Sequence, residues 1–173
     1  GAPLGAPSMK APSGPPGDPV RGRVAFGAPA VGAGHRVVLY GPGGIGKTTL
    51  AAVAPGPVVF FDLDDSLSRL QIPNVQIVQG VEAWEGLRRM LQSDGWDGVK
   101  SLVIDSATKA EELAVADTLA HVMMDGGKRS GSIEGYGYGK GYGYVYDTFL
   151  PLLSDLDRHC RFGRNVILIC HDC

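Results

Sequence analysis

Gly41-Pro42-Gly43-Gly44-Ile45-Gly46-Lys47-Thr48 is the stretch on which the reading of this chain turns. It fits G-x-x-x-x-G-K-[ST], in which the glycines let the backbone curl until successive N–H groups point at one anion. Lys47 would reach the β- and γ-phosphates of a nucleotide, the Thr48 hydroxyl would bind Mg²⁺, and Thr49 carries the loop into a helix whose positive end adds to the site. Upstream, Val37, Val38, Leu39 and Tyr40 form a short apolar run that reads as a buried strand. Downstream, residues 48–53 read as a helix. A strand entering the loop and a helix leaving it is the context this motif requires.

Working outward, Pro55, Gly56 and Pro57 stop the chain before a second apolar strand, 58–61, which runs into the acidic group Asp62, Asp64 and Asp65. Residues 75–78 read as a third strand. Val81, Trp84, Leu87, Arg88 and Leu91 fall on one stripe of an amphipathic helix over 81–91, which Asp94-Gly95 ends. A strand over 101–104, a helix over 108–124, a helix over 147–159 and a strand over 165–170 complete the pattern. Strands alternating with helices predict an α/β fold around a parallel sheet. Leu102-Val103-Ile104-Asp105 is an apolar strand ending in an acid, about 60 residues after the phosphate loop, and it nominates Asp105 as the magnesium partner of Thr48.

Composition narrows the classes. A chain of 173 residues with 44% hydrophobic residues buries a core without staples, and its longest apolar run, 166–170, is strand-sized, far below the roughly 18 to 20 residues a membrane helix needs. A formal charge of −2 gives no general attraction to polyanions, so any contact with nucleic acid must be local. The three cysteines all lie in the last 14 residues and frame no disulfide scaffold, which suits a reducing cytoplasm. Cys170 and Cys173 form a C-x-x-C around His171, but the second ligand pair of a structural zinc site could come only from His159 and Cys160. Of residues 1–34, 22 are Gly, Ala or Pro, too little apolar surface to offset the entropy of ordering them, so this part reads as a disordered tail ahead of a core over 35–173. The alternation stops three residues after its last strand, which reads as a core incomplete at its C-terminus.

Residues 126–146 break the rhythm with eight glycines and five tyrosines, and read as a loop. Within it, from Gly135 to its last tyrosine Tyr146, rings spaced by glycine could stack on bases while Lys128, Arg129 and Lys140 reach phosphates. The opposing reading is a flexible flap whose tyrosines pack on the core or on a neighbouring subunit.

The order of phosphate loop, apolar strand with staggered acids, V-I-D-S and a terminal apolar strand resembles the RecA/RadA recombinase core. Residues 40–50, 103–112, the glycine-tyrosine segment and 165–172 are similar to short phage-encoded RecA-like P-loop ATPases, often labelled AAA-family ATP-binding proteins, that act with single-strand annealing proteins. The resemblance implies a mostly parallel RecA-like sheet, ATP and Mg²⁺ as cofactors, and a host-cytoplasm ATPase in phage recombination. It also implies homo-oligomers, an annealing or single-strand-binding partner, and a single-stranded DNA loop at 135–146. It places Asp64 where the family carries its water-activating Glu and His171 where recombinases carry a γ-phosphate-sensing Gln. With Lys47 and Asp105 these are the candidate catalytic residues; Thr48 and Asp105 are the candidate metal ligands. Arg158, Arg161 and Arg164 are the basic residues available to complete a neighbour's site, or simply to serve a helix C-terminus. For Asp64 a helix N-cap is the competing role.

Two other classes fit the same residues. A small-molecule kinase would use Asp62 or Asp64 as substrate base and the Gly-Tyr loop as lid. A non-hydrolysing module would use nucleotide only to order loops for a partner.

Overall fold

Successive side chains leave opposite faces of each strand and so divide between two helical layers. The computed structural model describes residues 24–28 and 32–172. The chain divides into two units, Gly1–Ala30 and Val31–Cys173. The expected tail over 1–34 falls mostly outside the described residues, as does Cys173. All described helices and strands belong to the second unit: β1 (Arg36–Gly41), α1 (Lys47–Ala52), β2 (Val58–Asp62), α2 (Leu67–Leu70), β3 (Val75–Ile77), α3 (Trp84–Gln92), β4 (Ser101–Asp105), α4 (Ala107–His121), α5 (Lys140–Arg161) and β5 (Asn165–His171).

The five strands form one sheet in the order β1-β5-β4-β2-β3, and every neighbouring pair is parallel. Central strand β4 is buried at all five positions, as a strand covered on both faces should be. On one face Phe61, Leu102 and Ile104 meet Trp84, Leu87 and Leu91 of α3, Ala110 and Ala114 of α4, and Leu152 and Leu156 of α5. On the other, Phe60, Val103, Ile167 and Ile169 pack with Ala51 of α1 and Leu67 of α2. Phe60 and Phe61 are fully buried, each stabilising the fold by about 1.5–3 kcal/mol.

The same period of two positions the chemistry. Asp62 continues the face of Val58 and Phe60, Asp105 that of Val103, and His171 that of Ile167 and Ile169, so all three reach the α1 side of the sheet. Register aligns them: Asp62 is level with Asp105, Asp105 with Ile169, and Gly41 with His171.

Several expectations change. β1 reads as buried, but it is an edge strand with Val38 62% exposed, because an apolar run has the same sequence at an edge as at the centre. α4 stops at His121, where Val122 turns extended and Met123 bridges Arg129. The loop expected over 126–146 is half helix: a 3₁₀ turn spans Glu134–Tyr136 and α5 starts at Lys140. Tertiary packing overrides the glycine content there. Gly141 is buried against the Ile133 backbone, where a Cβ would lie 2.1 Å from the Ile133 oxygen. Tyr136 donates to Val122 O at 2.7 Å and stacks edge-on with Tyr144, centroids 5.1 Å apart. No helix among the described residues is long and apolar enough to cross a membrane.

Candidate functional site

The loop between β1 and α1 is an exposed cup, with Pro42, Gly43, Gly44, Ile45 and Gly46 open to solvent and Gly41 and Lys47 buried at its two ends. Gly44 and Gly46 take φ of +77° and +92°, the left-handed region that a residue with a Cβ enters only at a cost. A Cβ at Gly43, Gly44 or Gly46 would meet nothing within 4 Å, so the space beside these residues is open. Lys47, 8% exposed, donates Nζ to Gly41 O at 2.5 Å and Pro42 O at 2.6 Å, which holds its ammonium under the loop. Thr49 is on the exposed side of α1.

Thr48 turns inward and donates Oγ1 to Asp105 Oδ2 at 2.7 Å, joining the loop to the end of the central strand. Ser66 Oγ donates to the same oxygen at 3.0 Å. Asp105 is 1% exposed, and burial pushes its carboxyl above the usual 3.8; the two hydroxyls oppose this, and the charges of Asp64 and Asp62 add to it. The Asp105–Ser106 peptide bond is cis. Two oxygens 2.7 Å apart, one a carboxylate and one a hydroxyl, are the donor chemistry a hard dication takes, so Thr48 and Asp105 fit Mg²⁺.

The acids after β2 separate by role. Asp62 accepts Ser66 N at 2.9 Å and Leu67 N at 3.2 Å, capping the turn α2. The capping role considered for Asp64 therefore belongs to Asp62, and Asp62 is no free base for a kinase. Asp64 instead meets His171, whose Nε2 lies 2.8 Å from Asp64 Oδ2. The Asp64 N–H donates to Asp105 O at 3.2 Å, and the His171 N–H to Thr108 Oγ1 at 3.0 Å, so both backbones are tied to the end of β4 and the start of α4. Lys47, Thr48, Asp64, Asp105 and His171 thus converge. Sequence reasoning missed Ser66 and Thr108; the D-L-D-D-S run, an N-cap signature, was the available signal for Ser66.

Other candidates lie elsewhere. Arg164 directly precedes β5, and α5 ends beside the start of β1, with Gly34 N donating to Cys160 O at 2.8 Å. Arg158, Arg161 and Arg164 are therefore a strand's length from the phosphate loop of their own chain. Arg161 pairs with Asp157, and the guanidinium carbons of Arg158 and Arg164 lie 5.8 and 5.9 Å from the Phe162 ring centroid. The second ligand pair considered for a zinc site is also engaged: His159 Nε2 is 2.8 Å from Leu91 O, and Cys160 is buried against His35 O. In the glycine-tyrosine segment Tyr136 and Tyr144 pack inward. Tyr138, Tyr142 and Tyr146 stand exposed at 104, 63 and 63%, and Lys140 pairs with Asp125.

A family model described as an AAA domain matches residues 33–172. No curated protein matches the chain.

Proposed function

The chain belongs to the AAA-domain family of P-loop NTPases, and from that premise we propose that it is a Mg²⁺-dependent ATP-binding protein and ATP hydrolase whose nucleotide lies in the cup over 42–46. The observation that carries the reading is the 2.7 Å link between Thr48 and Asp105, which puts the loop hydroxyl and the strand-end carboxylate at one point. The loop N–H groups would receive the phosphates, and Lys47 would exchange its two carbonyl partners for phosphate oxygens, trading neutral hydrogen bonds for charge-assisted ones. Thr48 and Asp105 would hold Mg²⁺, which supplies charge neutralisation across the phosphates when bound.

For hydrolysis, Asp64 is the carboxylate able to take a proton from an attacking water, and His171 fixes its orientation through the 2.8 Å contact. Asp64→Asn is expected to lower steady-state ATPase by about 10²-fold with ATP affinity retained. Turnover unaffected by this variant would remove Asp64 from the reaction. A small-molecule kinase with Asp64 as substrate base is the second reading, and it requires phosphoryl transfer to an acceptor other than water.

Within the ATPase reading we place the chain in DNA recombination of the phage type, as a RecA-like homo-oligomer. The support is the set of tyrosines 138, 142 and 146, spaced by four and exposed, each able to stack a base worth about 1–3 kcal/mol. Oligo-dT binding followed by anisotropy is expected to weaken in Tyr142→Ala and further in Tyr142→Ala/Tyr146→Ala. Equal affinity in both variants would exclude this surface.

A further inference from the structure

We propose that Asp64, Asp105 and His171 form a binding site for a first-row transition-metal dication, with two carboxylate oxygens and one imidazole nitrogen as its protein ligands. One ligand atom from each lies within 4.8 Å of the other two. The three come from the turn after β2, the end of β4 and the end of β5, elements fixed by the central sheet. Bonds of about 2.0–2.2 Å put donor atoms on one ion roughly 3 to 4 Å apart. The His171–Asp64 pair at 2.8 Å is already near that spacing, and no pair of ligand atoms is more than 4.8 Å apart.

Electrostatics calls for a cation. Asp62, Asp64 and Asp105 crowd one strand-end corner, and among the described residues no Lys or Arg pairs with any of them; His171 alone does. Lys109 feels the charge of Asp64 but pairs with Glu112, and Lys47 donates to the loop carbonyls. An ionised carboxylate as buried as Asp105 is stabilised by a charge partner or a metal. Its orientation is set by Thr48 and Ser66, as metal-bound carboxylates are set by hydrogen bonds beyond the ion.

The imidazole decides the class of ion. Magnesium takes oxygen ligands and keeps its waters, whereas imidazole nitrogen suits zinc, iron, nickel and copper, and three protein ligands leave positions open for water. This goes beyond nucleotide binding: it shares Asp105 with the Mg²⁺ position but adds Asp64 and His171 as ligands and needs no nucleotide. It is also separate from the C-x-x-C: Cys170 and His171 are successive residues of β5, so their side chains leave opposite faces of the sheet.

The test uses the whole 173-residue chain, chelator-treated and free of nucleotide, titrated with Co²⁺ as a spectroscopic probe. One equivalent is expected to bind with visible d–d bands of oxygen and nitrogen ligation and to be displaced by Zn²⁺ but not by an equal concentration of Mg²⁺. His171→Gln and Asp64→Asn, each verified as folded by circular dichroism, are expected to weaken binding at least about tenfold; Cys170→Ser/Cys173→Ser should not change it. No Co²⁺ binding by the folded wild-type chain would overturn the proposal. So would affinity unchanged in both His171→Gln and Asp64→Asn, or a thiolate charge-transfer band that disappears with the cysteine double variant. ATP affinity in Mg²⁺, measured separately on the wild-type chain, reports on the nucleotide reading alone.

Discussion

Glycine serves opposite purposes in the phosphate loop and in the glycine-tyrosine segment. Around Gly43, Gly44 and Gly46 the space a Cβ would take is open, and Gly44 and Gly46 adopt the left-handed backbone that lets the loop curl. At Gly141 that space is filled by the Ile133 backbone, and the missing side chain lets a turn pack onto the first turn of α5. One region withholds side chains to leave room for a ligand. The other withholds them so that the protein can occupy its own interior.

The comparison is broken or sharpened by substitutions, of which Gly141→Val has the largest expected effect. Its side chain collides with the Ile133 backbone, and a loss of about 2–3 kcal/mol is expected from urea denaturation. A neutral result would show that 133–141 repacks freely and is the flap that composition suggested.

Asp105→Asn probes the loop side through pH. Burial holds the folded carboxyl above its usual 3.8, so its contribution to stability is complete below that value and is lost as the pH rises through the folded pKa. The nucleotide-free wild-type chain should therefore lose melting temperature relative to Asp105→Asn as the pH rises above about 4. Identical slopes would mean that the hydroxyls of Thr48 and Ser66 fully compensate the burial.

Gly44→Ala comes next, at about 1–2 kcal/mol, because φ of +77° strains any residue with a Cβ even in open space. A lowered ATP affinity should accompany it. The smallest effect, with the opposite sign, belongs to Gly143→Ala. This position is exposed within α5 with nothing within 4 Å, so alanine should stabilise the chain by about 0.5–1 kcal/mol. Within one segment, then, one glycine is required and its neighbour two residues on is dispensable, a distinction thermal melts of the two variants resolve.

These contrasts also explain what could be read from residues alone. The phosphate loop was legible because phosphate chemistry fixes which residues stand at which spacing, and Leu102-Val103-Ile104-Asp105 because a buried strand needs an apolar run and its end carries the acid. The structure then adds the face, with Asp105 and His171 on the α1 side of the sheet. The division of labour between Asp62 and Asp64 was not legible: both follow β2, and only the turn that aims Asp62 at the Ser66 and Leu67 amides separates them. Nor was the early start of α5, since Tyr136, Tyr144 and Gly141 favour helix through contacts with Val122 and Ile133 that no local pattern encodes. The edge position of β1 depends on strand order, which apolar runs do not carry.

The central claim is that the cup over 42–46 with Lys47 beneath it binds the phosphates of ATP. Isothermal titration of the wild-type chain and of Lys47→Ala with ATP in excess Mg²⁺ tests it most directly. Removing one charge-assisted contact should weaken binding by about 10- to 100-fold, as expected for a hydrogen bond to a charged group of about 1.5–3 kcal/mol, while circular dichroism stays unchanged. Equal affinities for the two proteins, or no ATP binding by the folded wild-type chain, would contradict it.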